Sequence, residues 1–424
     1  MTSPHDHRFH ILENGLRIAT ERLAGARSVS FGIWVEAGSR HEAAGQEGMA
    51  HLWEHLAFKG TDTRSALDIA KSLDILGGHS NAYTSREHTC FHTRVVDTHL
   101  EEALDILSDI VLSPKPTATD FDREKDVVLQ EIAMVEDDPE ESLMEAFWTA
   151  IWPDCPGGHS ILGRPDTVRA FKRKAMETWR AEHYRPGNIL VAAAGSLDHD
   201  RFQAMVQKRF GSLKPGEPRT SPSPDTYRPA TLLTERDTAE THVALSFPGL
   251  GGRDERRFAL SILNAILGGN MSSRLFQEVR ERRGLAYSVY SFTSSLADAG
   301  ALQVYAAVDP PRTEELLACL HGEICRLARK GVTQEELEHA RDHMLSGLYL
   351  SLEASEDRMS RLARNQLIHG RYVPAEESIA RFEAVTTEEV NALAAGILDV
   401  AKMGLAVLGP TIDPRVGEIF GSIA

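Results

Sequence analysis

The pattern of apolar and polar positions divides FHILENGLRIATERL into two predicted strands joined at Asn14-Gly15, a strong hairpin signal. SVSFGIWVEAGS alternates at Val29, Phe31, Ile33 and Val35 and predicts a third strand. The spacing then becomes helical over residues 43–59 and 64–76, which stop at Gly60 and at Gly77-Gly78. Strands near 80–86 and 88–96 precede helices near 98–112 and 118–137. After more helical sequence, NILVAAAG at 188–195 is apolar after Asn188 and reads as a buried strand, followed by a polar helix.

SLKPGEPRTSPSPDTYRP, residues 212–229, holds five prolines and is the best linker in the chain. Beyond it the order of elements begins again. HVALSFPGL predicts a strand, RDERRFALSILNAILGG a helix, MSSRLFQEVRERRG a second helix ending in Gly, and AYSVYSFTSS and ALQVYAAV a pair of strands. Residues 312–330 and 334–354 are helical, and MGLAVLGP echoes NILVAAAG. The pattern predicts a duplicated α+β unit, divided as residues 1–211, the linker 212–229 and residues 230–424. The repeat is one of pattern, not of letters, and it is broken in one place. Where the first half carries HLWEH at 51–55, the second carries the apolar ALSILNAIL.

Composition narrows the function classes. A chain of 424 residues and 46.8 kDa is too long for one ordinary core. No apolar run approaches the roughly 18 to 20 residues of a membrane helix. The formal charge of −16 argues against nucleic acid as the main partner, and it would suit basic peptides. Cys90, Cys155, Cys319 and Cys325 lack CxxC spacing, so neither a disulfide framework nor a thiolate metal site is indicated. MTSPHDHRFH has no apolar stretch of the secretory type, and a cytoplasmic setting is the expectation. His5, His7 and His10 read as a polar tail.

On a helix, His51, Glu54 and His55 fall within about 100° of one another, with Met49, Leu52, Trp53 and Leu56 on the opposite side. One face packs, and the other carries two imidazoles and a carboxylate. A hydrolytic zinc takes three protein ligands and keeps a position for water, so a third ligand is needed. TDFDREKDVVLQEIAMVEDDPE offers Glu124 and Glu131, seven residues apart and so nearly in line along one helix face. That face borders the apolar stripe of Phe121, Val128, Ile132 and Val135. Carboxylates beside apolar surface tend to be paired or metal-bound, because an isolated buried charge is costly.

HLWEHLAFKGT, followed by Glu131 76 residues after His55, resembles the inverted HxxEH zinc motif of the pitrilysin/insulinase family, nearest to its mitochondrial processing peptidase type and bacterial relatives. GGHSNAYTSREHT and MSSRLFQEVRERRGLAYSVYS are similar to two further family signatures. The resemblance implies two homologous α/β-roll-like halves, each a mixed, mainly antiparallel sheet flanked by helices, forming a clamshell. It implies one Zn2+ per chain held by His51, His55 and Glu131, with Glu54 as general base and Glu124 orienting a ligating imidazole. Arg280 and Tyr287 would stabilise the oxyanion, and closure of the two halves would complete the site. Asn81 and Ala82 would hold substrate main chain along an edge strand. Gln130, where relatives often carry Glu, and the bulky Trp53 are departures that remove no ligand.

A zinc endopeptidase acting on peptides or unstructured segments is therefore expected, as a self-sufficient chain or homodimer. The alternatives are a non-catalytic scaffold or partner subunit, and one subunit of a heterodimeric peptidase. Degraded motifs are typical of such scaffolds, whereas HLWEH is intact. His79, His88 and His92 lie near the proposed site in sequence but are equally explained as strand or surface residues.

Overall fold

The structure is a computed structural model and describes residues 6–216 and 226–413. The proposed linker falls partly outside that range, and so does His5. The strands in chain order are β1 (His7–Ile11), β2 (Arg17–Arg22), β3 (Ser28–Val35), β4 (His79–Thr84), β5 (Thr89–Val96) and β6 (Ile189–Gly195), then β7 (Thr231–Glu235), β8 (Thr241–Pro248), β9 (Val289–Ser295), β10 (Gly300–Val308) and β11 (Gly404–Gly409). They form two sheets, ordered β1-β2-β6-β3-β5-β4 and β7-β11-β8-β10-β9. In the first only β2 and β6 run parallel; in the second only β7 and β11 do. Removing β1 makes the two topologies identical, so the duplication read from the pattern is a duplication of strand order and direction. Each sheet is mixed, mainly antiparallel and flanked by helices, as expected.

The Asn14-Gly15 turn joins β1 to β2. Their ladder ends at Ile11 opposite Arg17, the Leu12 amide donates to the Leu16 carbonyl at 2.8 Å, and Gly15 takes the left-handed φ of 95° that the turn requires. β6 lies between β2 and β3 with both faces covered, which is why ILVAAAG is apolar at every position rather than alternating.

The first five α-helices are α1 (Met49–Ala57), α2 (Ala66–Ile75), α3 (Leu100–Leu112), α4 (Ala118–Asp137) and α5 (Pro139–Ile151). One face of the first sheet buries Val29, Phe31, Ile33 and Val35 with Leu52 and Leu56 of α1 and Leu104 and Leu107 of α3. The other face is lined by Ala19, Ala192 and Ala194 around Trp34, and it meets Met359, Leu362 and Ala363 of the helix Ser355–His369. The alanines let that helix come close: Ser30 and Ser355 share a hydrogen bond of 2.8 Å, and Arg358 pairs with the buried Glu21. The second sheet is built the same way. Leu143, Phe147 and Ile151 of α5 cover a face lined by Ala244, Ala301 and Ala406.

The chain thus divides into one unit of Met1–Ala133, His159–Ser223 and Tyr349–Pro374 and another of Met134–Gly158, Pro224–Leu348 and Ala375–Ala424. A boundary at the linker accounts for the strands but not for α5 or for Ser355–His369, each of which covers the sheet of the unit opposite to its place in the sequence. Apolar spacing tells that a helix has a buried face, not which sheet it covers. Two predicted helices also differ. Residues 43–59 are helical only over Met49–Ala57, because Gly48 at φ 99° cannot continue a helix backwards. MSSRLFQEVRERRG gives a π-helix over Phe276–Arg282, whose wider turn buries Leu275 and Val279 while Arg280 reaches the Phe276 ring. Among the described residues no helix is long and apolar enough to cross a membrane.

Leu362 is 2% exposed and Leu350 66% exposed. Leu362→Ala should cost about 2–5 kcal/mol of stability and Leu350→Ala less than about 0.5 kcal/mol, read from urea unfolding midpoints. Equal shifts would show that the Ser355–His369 helix does not cover the sheet.

Candidate metal centre

The start of α1 is fixed before any ligand is placed. Glu42 is buried and accepts hydrogen bonds from the Gly48 amide at 2.8 Å and the Ala50 amide at 2.7 Å, which satisfies donors at the helix N-terminus. Burial pushes its pKa up, and those backbone donors pull the other way. A Cβ on Gly48 would come within 2.7 Å of the Leu162 carbonyl oxygen, so the 162–163 backbone can lie against this turn only beside glycine. From there Met49, Leu52, Trp53 and Leu56 are buried in the core, as the spacing predicts, and His51, Glu54 and His55 share the half-buried face.

On α4 the buried residues are Phe121, Glu124, Val128 and Ile132, so Glu124 sits within the apolar stripe itself; Val135 is only half-buried. One turn-pair further on, Glu131 reaches the same place as the histidines. His51 Nε2 and His55 Nε2 lie 3.5 and 3.6 Å from Glu131 Oε2, and one ligand atom from each of the three residues can be chosen so that all lie within 4.8 Å of one another. Among the described residues this is the one group of three such side chains that could hold a metal ion. Separations of 3.5 and 3.6 Å exceed a good hydrogen bond. They are close to the edge of about 3.3 Å expected for a tetrahedron with ligands about 2.0–2.1 Å from zinc. The donor set, two imidazoles and a carboxylate, also suits that ion.

Charge around the three is arranged to the same end. Burial, and secondarily His55, push the His51 pKa down to about 3, so its ring is held neutral as a metal ligand must be. His55 Nδ1 lies 3.3 Å from Glu124 Oε2, and the Lys59 ammonium lies 2.8 Å from Glu124 Oε1. The buried Glu124 is thereby paired on one side and free on the other to receive the Nδ1 proton, which leaves Nε2 facing Glu131. Glu54 accepts a hydrogen bond from Thr84 Oγ1 at 2.6 Å. Burial raises its pKa; the Thr84 bond and His55 lower it, and Glu131 adds a smaller upward push.

Asn81 and Ala82 lie in β4, the end strand of its sheet, where the Ala82 amide donates an exposed hydrogen bond of 2.9 Å to Asn81 Oδ1. Arg280 and Tyr287 come together in the second unit. The guanidinium sits 4.2 Å from the Tyr287 ring centre, and Tyr287 is 78% exposed. His7 and His10 belong to β1 rather than to a tail, and His7 stacks on Tyr372 at 3.8 Å. On the face of β4 and β5 away from α1, His88 and His92 lie against Tyr83 and His79 lies against His92, and Gln130 is exposed. Glu42, Lys59 and Thr84 had no place in the expected site. Lys59 and Thr84 stand inside the quoted HLWEHLAFKGT and GGHSNAYTSREHT, but their spacing carries no metal-ligand signal.

Comparison with known proteins places the chain in a family. Residues 17–164 match the model of insulinase (peptidase family M16), and residues 170–344 match that of the peptidase M16 inactive domain. The chain belongs to the insulinase family of peptidases, family M16. It is 44% identical over 404 residues to an uncharacterized zinc protease of Mycobacterium leprae, covering 94% of this chain and 91% of the relative. It is 37% identical over 399 residues to the uncharacterized zinc protease YmxG of Bacillus subtilis, covering 94% and 97%. A crystal structure of a protease from Helicobacter pylori shares the fold with a TM-score of 0.90 at 23% identity, over 96% of this chain and 100% of that one.

Glu124→Gln should weaken zinc affinity by about 10–100-fold, the usual cost of losing a partner behind a ligand, while Glu131→Gln loses stoichiometric binding. Competition titration against a chromophoric chelator measures both. Unaltered affinity in Glu124→Gln would remove that residue from the site.

Proposed function

We propose that this chain is a zinc endopeptidase that cuts peptides or unstructured polypeptide segments. The observation that carries the reading is the convergence of His51, His55 and Glu131 with Glu54 on the same half-buried helix face. A zinc ion held by the three would supply a Lewis acid and lower the pKa of its water from about 15.7 toward 7. Glu54 then serves as general base. One of its carboxylate oxygens is held by Thr84, and the other makes no hydrogen bond among the described residues, so it is open to accept a proton and pass it to the leaving amine.

The raised pKa of Glu54 suits that double role, since a carboxyl group that holds its proton more tightly is a better base and can still give it up. Glu124 keeps the His55 proton on Nδ1. The β4 edge can take substrate as an added strand, which reads main chain rather than side chains and suits varied peptides. Arg280 and Tyr287 are the candidates for holding the oxyanion. The relatives named as zinc proteases support this reading, and the complete ligand set favours it over a scaffold or a purely structural subunit.

The purified chain should carry about one zinc and cleave peptides in a chelator-sensitive way. Glu54→Gln should retain zinc and lose at least about a hundredfold in turnover. Metal analysis with a peptide-library digest reads both, and full activity in Glu54→Gln would defeat the proposal.

A further inference from the structure

We propose that Thr84 is a positioning residue that ties the β4 edge to Glu54, so that a peptide docking on the strand also sets the orientation of the base. The inference rests on the peptidase reading above and goes beyond the Thr84 contact noted there, because it couples that contact to substrate docking on the strand. Thr84 is the last residue of β4, a strand that among the described residues pairs only with β5 and leaves its other edge open. Its Oγ1 donates to Glu54 Oε2 at 2.6 Å, a short bond to a half-buried carboxylate.

Side chains alternate along β4. Ala82 and Thr84 face α1, with Ala82 packed against the core there, while His79 and Tyr83 approach His92 on the other face. The strand residue that grips Glu54 is therefore two positions from Ala82, whose amide lies at the proposed docking edge. Behind it, Thr89 stands opposite Thr84 in the ladder, its Oγ1 is 3.4 Å from Thr84 Oγ1, and it donates to the Ala37 carbonyl at 2.8 Å. Thr84 Oγ1 is thus left to give its proton to Glu54.

Threonine is well suited to the link. Its branched Cβ restricts χ1, so the direction of the hydroxyl follows the strand backbone. Glutamate has three side-chain torsions and would lose its fixed direction without the bond. When a peptide adds to the edge and straightens or shifts residues 82–84, the hydroxyl moves and carries the carboxylate with it.

The test compares the unmodified protein with Thr84→Val, Thr84→Ser and Glu54→Gln, using one fluorescence-quenched peptide selected from a randomised library. Thr84→Val should lower kcat by about 10–100-fold with KM and zinc content unchanged, and Thr84→Ser should recover most of the loss. A second readout needs no turnover. In metal-free protein labelled with 13C at the glutamate carboxyl carbon, the resonance absent from Glu54→Gln should move when the peptide is added to the unmodified protein and to Thr84→Ser, but not to Thr84→Val. Unchanged kcat in Thr84→Val, or a Glu54 resonance that responds to peptide equally in Thr84→Val, overturns the proposal. So does a peptide that binds without moving that resonance in the unmodified protein. A resonance that moves as described in a protein that cleaves nothing supports the coupling and contradicts the peptidase reading instead.

Discussion

Two imidazole nitrogens and a carboxylate oxygen, carried by two helices, meet within a few ångströms, and the packing of both helices in the first unit fixes that meeting. The turn-by-turn geometry of α1 brings His51 and His55 to one face, with ring centres 4.6 Å apart. It does so only because the opposite face is committed to the core and because Glu42 and Gly48 decide where the helix starts. A start one residue earlier or later would leave the spacing of the histidines intact but would lose the fit of the capping carboxylate to the first amides. The apolar stripe of α4 plays the matching part, since burying Val128 and Ile132 aims Glu131 at the histidines.

The charges left by this arrangement are resolved locally. Glu124 is buried, yet it is held between Lys59 and His55, so a carboxylate that would be costly alone becomes the partner that orients an imidazole. Glu54 is held by Thr84 from a neighbouring strand. Two of the groups that could do chemistry, His55 and Glu54, are thus each fixed by a side chain that does none, which helps a site hold its shape.

Much of this was legible in the sequence. HLWEH stated its own geometry, because helical spacing separates its packing residues from its polar ones without any knowledge of the fold. The duplication was visible because the two halves use the same order of periodicities, and the structure shows that order as the same strand topology twice. Three things were not legible. The start of α1 depended on a carboxylate six residues before Gly48 and on the 162–163 backbone lying against that glycine, a long-range contact. Ser355–His369 carried no prediction and α5 lay in a helical stretch with no assigned partner, and only tertiary structure shows that each covers a sheet of the unit opposite to its place in the sequence. Thr84 and Lys59 escaped notice because a hydroxyl or an ammonium that orients another side chain has no fixed spacing from it along the chain.

The central claim is that His51, His55 and Glu131 together hold one zinc ion. X-ray absorption at the zinc edge of the metal-loaded protein tests it most directly. The account predicts a shell of about four nitrogen or oxygen neighbours at about 2.0–2.1 Å, with the outer scattering of two imidazoles that falls to one in His55→Ala. A sulfur neighbour at about 2.3 Å, or a spectrum that His55→Ala leaves unchanged, would place the metal elsewhere and contradict it.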